Sequence, residues 1–465
     1  MIDLHASEIA KIVGGELFGS DVSVTQPPVF NSSQATSGCI FLALVGEKTD
    51  GHNYVGDAFS HGAVLALVTK QVPETCIVVP DVLVALNLLA SHVRRSLPNL
   101  EVIALTGSQG KTTTKDLLKH VLETVAPTVA PAGNFNNELG APITLLRCDE
   151  KTKYCILEMG ARHIGDIAAL CKMAKPDIGV VLRVGTAHVG EFGSAQAVAQ
   201  AKSEMISSLE SNAVAVLGQY DLFTPAMAAL HQGPIVTFGE TTSADVRATD
   251  IDIREGRPHF DLVTPAGRAS VALRLVGIHQ VSNALAAAAI ATNLNISIDV
   301  IAGALSTAEL DSKWRMEIHE LSGLVLINDS YNASPESTEA ALRTLALFAQ
   351  ERGGQSWAFL GKMHELGASS QQHHARLGTL ASELGIDHLV CVCAPEYAGE
   401  ITTGSNGVSA CAVHLFDSKV FAAELVAQMA EGDVVLVKAS RAEKFEELAE
   451  LITAKWSSRE VGGDE

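Results

Sequence analysis

Val102-Ile-Ala-Leu-Thr-Gly-Ser-Gln-Gly-Lys-Thr-Thr-Thr114 is the stretch on which the fold turns. An apolar run leads into a turn with two glycines, and a helix-compatible segment follows. Gly107 and Gly110 let the backbone curl until its N–H groups converge on phosphate oxygens. Lys111 brings charge to neutralise them, the Thr112 hydroxyl suits a magnesium ion, and the helix opening near Thr112 adds the positive end of its dipole. The spacing GxxGKT is shorter than the usual phosphate loop, and a Gly-Lys turn with no ligand is the competing reading. The strand before it and the helix after it favour a bound nucleotide.

Outward from this loop, the apolar runs at 102–105, 154–157, 178–182 and 214–217 alternate with helical stretches. That order predicts an α/β protein whose central domain, residues 96–311, is a P-loop-type, mainly parallel sheet with flanking helices. Before it, short apolar runs at 39–45, 63–68 and 76–79 lie between turn signals such as Asp50-Gly51, and residues 1–95 read as a smaller N-terminal mixed α/β domain. After a join near Ser312, runs at 324–327, 356–360, 389–393 and 434–437 repeat the alternation, so residues 312–465 read as a C-terminal Rossmann-like α/β domain.

Composition agrees with three domains. The chain has 465 residues, of which 47% are hydrophobic and 18% charged, which suits globular domains around buried sheets. Its formal charge is 33 − 53 = −20, a field that repels phosphate backbones and argues against a nucleic-acid partner, though not against one phosphorylated ligand in a locally positive pocket. The run from Met1 to Leu17 lacks a basic start followed by an apolar stretch, and Ala284 to Ala291 is too short for a bilayer, so no membrane span is expected. The 8 cysteines are scattered, with only a CxC at Cys391 and Cys393; reduced thiols in a cytoplasm are the expectation.

Further chemistry lies downstream. Glu158 ends the run Tyr154-Cys-Ile-Leu-Glu, at the sheet edge where ligands collect. Alone it reads as a solvated strand end; beside a phosphate loop it reads as an oxygen ligand for a hard cation. His188, in Thr-Ala-His-Val-Gly190, reads by itself as a loop or packing residue, and Lys202, in Gln-Ala-Lys-Ser-Glu204, as an ordinary helix-surface lysine.

Several separated motifs together resemble the Mur ligase family, and within it the dipeptide-adding branch. They are Thr-Gly-Ser-Gln-Gly-Lys-Thr-Thr-Thr114, Gly133-Asn-Phe-Asn-Asn-Glu-Leu-Gly140, Glu158-Met-Gly-Ala161, Gly277-Ile-His-Gln-Val-Ser-Asn283, Asn328-Asp-Ser-Tyr-Asn-Ala-Ser-Pro335, Leu360-Gly-Lys-Met-His-Glu-Leu-Gly367 and Val437-Lys-Ala-Ser-Arg441. The resemblance implies an ATP-dependent ligase that joins D-alanyl-D-alanine to UDP-N-acetylmuramoyl-tripeptide through an acyl phosphate. It implies ATP held by Thr106, Gly107, Ser108, Gln109, Gly110, Lys111, Thr112 and Thr113, with Asn283 at the adenine, Arg315 at the phosphates and Asp329 at the ribose. Thr112 and Glu158 would hold one magnesium ion, and His188 with a carbamylated Lys202 a second, so that Lys111, Glu158, His188, Lys202 and Arg315 form the catalytic set. Substrate contacts would come from Ser32, Asp50, Gly51 and His52 on the uridine side, and from Asn134, Asn136, Asn137, Tyr331 and Asn332 on the peptide side. A monomer is expected.

Departures from the family pattern cluster at the rim: Asn31-Ser32-Ser33 for a usual DSR, Gln109 and Gln280 for asparagines, Arg183 for an asparagine, Trp314 and Ala439 for glycines, and Lys362 at an often acidic position. The rival readings are another Mur ligase or a folylpolyglutamate-type ligase, against which the YNASP run argues. A P-loop switch ATPase would hydrolyse nucleotide without an acceptor and would leave the DGH run of residues 50–52 unexplained. A binding protein with a decayed site is the third.

Overall fold

The computed structural model describes all residues except 47, 132, 134, 186–188, 400–410 and 462–465. Its centre is a 9-stranded sheet in the order Gly267–Ala272, Arg257–Thr264, Val246–Arg254, Ile235–Gly239, Val214–Gly218, Ile178–Val181, Glu101–Thr106, Tyr154–Glu158 and Thr128–Val129. From Thr128–Val129 to Val246–Arg254 every neighbouring pair is parallel; only the hairpin strands at the far edge run antiparallel. The inner strands are buried on both faces, which is why each reads as a continuous apolar run. The chain passes from Glu101–Thr106 to Tyr154–Glu158 on one side, then returns to Ile178–Val181 on the other. This reversal opens a crevice beyond the carboxyl ends of those three strands, where the phosphate loop sits.

On one face, the helix Lys111–Glu123 packs against Gln280–Asn293. Ala284, Ala286, Ala287, Ala288, Ala289 and Ala291 of the latter are all buried; their small side chains let the phosphate-loop helix come close. On the other face lie Gly140–Leu145, Asp166–Ala174 and the helix Val82–Ser96. The last starts where Asp81 accepts from the N–H groups of Leu83 and Val84, and it ends at Leu97 ahead of a proline. Its buried stripe of Val82, Leu86, Leu89 and Val93 follows the helical repeat. That stripe belongs to one apolar cluster with Ile9 and Leu65 on the amino-terminal side and Val102, Leu145 and Met205 on the central side. Arg94 finishes the join, donating to the carbonyls of Ala174 and Leu100 and to Asp177 at 2.8 Å.

The amino-terminal region has a 4-stranded sheet in the order Glu16–Phe18, Cys76–Val78, Leu65–Val68 and Ile40–Leu42, with a second small core around Phe41. The carboxyl-terminal region has a 6-stranded sheet, Glu317–Leu321, Leu324–Asn328, Val434–Lys438, Ser356–Leu360, His388–Val392 and Ala412–Phe416, parallel except at the first pair and filled on both faces. The mixed, parallel-rich α/β architecture in three parts is as expected.

Among the strands not read as apolar runs are Val246–Arg254, Arg257–Thr264, Gly267–Ala272, Glu317–Leu321 and Ala412–Phe416. All lie toward sheet edges. Arg257–Thr264 alternates buried with half-buried residues, so polar side chains interrupt every apolar stretch.

Candidate active site

The loop after Glu101–Thr106 is shaped by two glycines for different reasons. Gly110 has φ +80°, and a Cβ there would lie 2.3 Å from Asn283 Oδ1; Gly107 has ordinary backbone, but its Cβ would press on Leu182 at 3.0 Å. Ser108 N–H donates to the Arg183 carbonyl at 2.9 Å, and Ser108 Oγ accepts from Gly185 N–H at 2.8 Å, so the neighbouring strand's end pins the loop. Lys111 Nζ donates to the Gly107 carbonyl at 2.8 Å. Burial, together with the Arg315 cation, pushes the Lys111 ammonium down, while Glu158 holds it up.

Glu158 is 1% exposed at its strand end. Thr112 Oγ1 donates to Glu158 Oε2 at 3.0 Å, and Asn136 Nδ2 donates to Glu158 Oε1 at 3.0 Å. A hydroxyl oxygen and a carboxylate oxygen thus face each other beside the phosphate loop, a donor pair that suits a hard divalent cation. Lys202 lies in the helix Ala195–Ser207 on its buried side, 4% exposed, with no ion-pair partner among the described residues. Burial, and then the nearby Lys111, pushes its pKa down to about 7. The expected surface lysine is therefore an interior one. A neutral buried amine is the form that takes up carbon dioxide, and the resulting carbamate would turn an unpaired cation into an oxygen ligand. His188 and Asn134 lie outside the described residues.

At the far end of the loop, Asn283 Nδ2 donates to Gln280 Oε1 at 2.8 Å, and its Oδ1 accepts weakly from Thr114 Oγ1 at 3.5 Å. His279, just before that helix, is pushed down to about 4 by burial and carries a buried Nδ1 without a partner. From the third region, Arg315 lies over the Tyr331 ring at 4.0 Å, and its buried Nε has no hydrogen-bond partner. Trp314 before it adopts φ +61°, which accounts for the usefulness of a glycine there; its ring lies under Arg441 at 4.6 Å. Asp329 accepts from Lys438 and from Met316 N–H, and Lys438 also donates to the Asn332 carbonyl at 2.9 Å. Gln109 reaches across to Glu336 at 3.1 Å, tying the loop to the third region.

One cleft of about 1410 Å³ gathers these groups: Ser108–Thr113, Asn136, Asn137, Glu158, Lys202, Asn283, Arg315, Asp329, Tyr331 and Asn332 all line it. Thr106 and Gly107 lie immediately behind. Asn137 caps the helix Gly140–Leu145 by accepting from Gly140 N–H at 3.0 Å. Ser32, Asp50, Gly51 and His52 do not line this cleft. Asp50 and His52 form a local knot instead: His52 Nε2 accepts from Thr69 N–H at 3.0 Å while His52 Nδ1 meets Asp50, whose carboxyl is held below its usual range first by the His52 N–H. Gly51 fits because a Cβ would meet the Leu44 backbone at 2.6 Å. From the amino-terminal side the cleft is reached by Phe30, Val84 and Leu88. Sequence reading gave Lys438 no role, although a buried lysine closing the apolar strand Val434–Lys438, only 2% exposed, was a signal of the same kind as Glu158, each ending a strand of its own sheet.

The chain is similar to known proteins in sequence and in fold. The Mur ligase middle domain model matches residues 105–291, and the Mur ligase, glutamate ligase domain model matches residues 314–441. The chain is 39% identical to the UDP-N-acetylmuramoyl-tripeptide--D-alanyl-D-alanine ligase of Mycobacterium tuberculosis, covering 98% of each. It is 33% identical to the enzyme of the same name from Escherichia coli, over 97% of this chain and 99% of that one. Among solved structures, MurF from Acinetobacter baumannii superposes with a TM-score of 0.88 at 32% identity, covering 98% and 99% of the two chains. MurF ligase from Thermotoga maritima in complex with ADP gives 0.80 at 29% identity, covering 94% and 99%.

Proposed function

The chain belongs to the Mur ligase family, and from that premise we infer that it is the ATP-dependent ligase that adds D-alanyl-D-alanine to UDP-N-acetylmuramoyl-tripeptide in peptidoglycan precursor synthesis. The observation that carries the reading is the single cleft in which Lys111 and Glu158 from the central sheet meet Arg315 and Asp329 from the third region.

The chemistry asks for no protein nucleophile. The terminal phosphoryl group of ATP passes to an oxygen of the tripeptide carboxylate, giving ADP and an acyl phosphate. The free amine of D-alanyl-D-alanine attacks the acyl carbon, and inorganic phosphate leaves with the electron pair of the broken C–O bond. Catalysis of such a transfer is mostly positioning and charge neutralisation. Lys111 and Arg315 supply fixed positive charge, the loop N–H groups hold the phosphates, Asn283 takes the base and Asp329 the ribose. The Thr112–Glu158 oxygen pair suits one magnesium ion; by the family resemblance, carbamylated Lys202 and His188 would hold a second. Bound there, magnesium supplies neutralisation of the phosphate charge. Enclosure between regions keeps water from the acyl phosphate. In this reading residues 1–95 hold the uridine diphosphate group, residues 96–311 the ATP, and residues 312–465 close over both. No helix among the described residues is long and apolar enough to cross a membrane; the cytoplasm is the proposed setting and a monomer the proposed state.

The test is phosphate release from Mg-ATP with UDP-N-acetylmuramoyl-tripeptide and D-alanyl-D-alanine added singly and together. Release only with both, beside a product heavier by the dipeptide, is the expected result. Brisk release without acceptors would show a switch ATPase instead.

A further inference from the structure

Arg183 and Tyr220 line the cleft, yet the chemistry above uses neither. They follow the parallel neighbours Ile178–Val181 and Val214–Gly218, so both stand at the carboxyl edge of the sheet. Arg183 is fixed by its backbone, since its carbonyl accepts from Ser108 N–H of the phosphate loop at 2.9 Å. Its guanidinium has no carboxylate or carbonyl partner among the described residues and lies over the Tyr220 ring, 5.7 Å from the centroid. In a chain of net charge −20, a cation left without an acceptor in a ligand cleft is conspicuous. Tyr220 in turn packs against Phe238 at 6.0 Å and has a buried hydroxyl with no hydrogen-bond partner.

The place of this pair relative to the nucleotide is set by Leu182. A Cβ on Gly110 would meet both Asn283 Oδ1 at 2.3 Å and Leu182 Cδ1 at 3.5 Å, so Leu182 and Asn283 converge on the same point of the loop. Arg183 is the next residue. The end of the cleft lined by Arg183, Tyr220, Phe238, Gln280 and Asn283 is the one that the ATP reading gives to the base. A purine edge offers uncharged ring nitrogens as acceptors and a π face. Those match a guanidinium with donors only and an unpaired phenol.

We propose that Arg183 and Tyr220 form the wall of the purine pocket opposite Asn283, the guanidinium and the phenol hydroxyl engaging the adenine of ATP. This rests on the reading of the cleft as an ATP site. Asparagine at position 183, usual in the family pattern, is too short to reach across the Tyr220 ring in this way, so this chain holds its nucleotide partly by a contact of its own.

Binding of ADP and of inorganic triphosphate to the full chain, followed by calorimetry, tests it in the wild type, Arg183→Asn and Tyr220→Phe. ADP affinity is expected to fall about tenfold in Arg183→Asn and severalfold in Tyr220→Phe, with triphosphate binding unchanged in both. Tyr220→Phe should melt no lower than wild type, because it removes a hydroxyl that has no partner in the free protein. Unchanged ADP affinity in both variants would overturn the proposal, and so would equal losses for ADP and triphosphate, which would put the contact on phosphate. A wild-type protein that binds triphosphate but gains nothing from the nucleoside would overturn it too. One that binds neither would overturn the ATP reading itself.

Discussion

Both oxygens of Glu158 are engaged, one by Thr112 and one by Asn136, in a site closed to solvent. Glu158→Gln keeps the size of that side chain and can keep the bond from Asn136 while reversing the one with the Thr112 hydroxyl, and it removes the charge. Turnover is expected to fall by about 10²-fold or more, and the gain in ADP affinity on adding magnesium should vanish; an unaltered magnesium effect would remove Glu158 from the ligand set. Lys202 makes a second case. With its pKa near 7, the amine is mostly charged below that pH and mostly neutral above it, so carbamate should accumulate as pH rises through about 7. Peptide mass spectrometry in bicarbonate should find the added carbon dioxide on Lys202, increasing with pH, and Lys202→Arg, always charged, should lack both adduct and turnover. The burial of Lys202 was only half visible beforehand. It lies one turn from Val198 and one from Ile206, both buried, which puts it on the inner face, yet a lone lysine amid alanines reads equally well as solvated. Glu158 was easier, because a carboxylate that ends an apolar strand has only the sheet edge to occupy. The masking of Asp50 and His52 by each other had no sequence signal, since a DGH run is as compatible with a ligand contact as with a capped turn.

Among elements, the strands buried on both faces were readable as apolar runs, and the edge hairpin from Val246 to Ala272 was not. Its side chains alternate, and Asp250, Asp261 and Arg268 form an outward-facing ionic group that breaks the run. The helix Val82–Ser96 falls at the end of the amino-terminal domain expected over residues 1–95. Its stripe serves two neighbours at once, and Arg94 at its last turn makes five hydrogen bonds into the central sheet's flank. Arg94→Ala leaves the Asp177 carboxylate and several carbonyls without that partner and should destabilise the protein by about 2–3 kcal/mol in urea unfolding. Loss of activity without loss of stability would contradict a linking role. The phosphate-loop helix needs its alanine neighbour for the opposite reason: the buried faces of Gln280–Asn293 leave no room for larger residues.

For the whole molecule, the decisive property is that the cleft exists only between regions. The loop and the third region meet through Gln109 and Glu336, an amide–carboxylate contact of 3.1 Å. Gln109→Glu would set two carboxylates there, and like charges at such a distance cost several kcal/mol in a partly dry site. That variant is expected to turn over at least about tenfold more slowly and to scatter X-rays as a larger particle, with its melting temperature little changed; an unchanged radius of gyration would show that the contact does not hold the regions together. The three-part layout was legible because each part carries its own rhythm of runs and turns, but how the parts adhere was not, since apolar stripes do not announce which neighbour they bury against. One consequence follows from the cluster that runs from Ile9 through Leu89 to Val102 and Met205. A continuous interior of that kind makes the first two parts a single cooperative unit in thermal unfolding, while the third, with its interior complete on both faces of its own sheet, forms another. A fragment beginning at the phosphate loop would bare the apolar floor on which Val82–Ser96 rests and would aggregate, whereas a fragment beginning after Ser312 would remain a self-sufficient folding module.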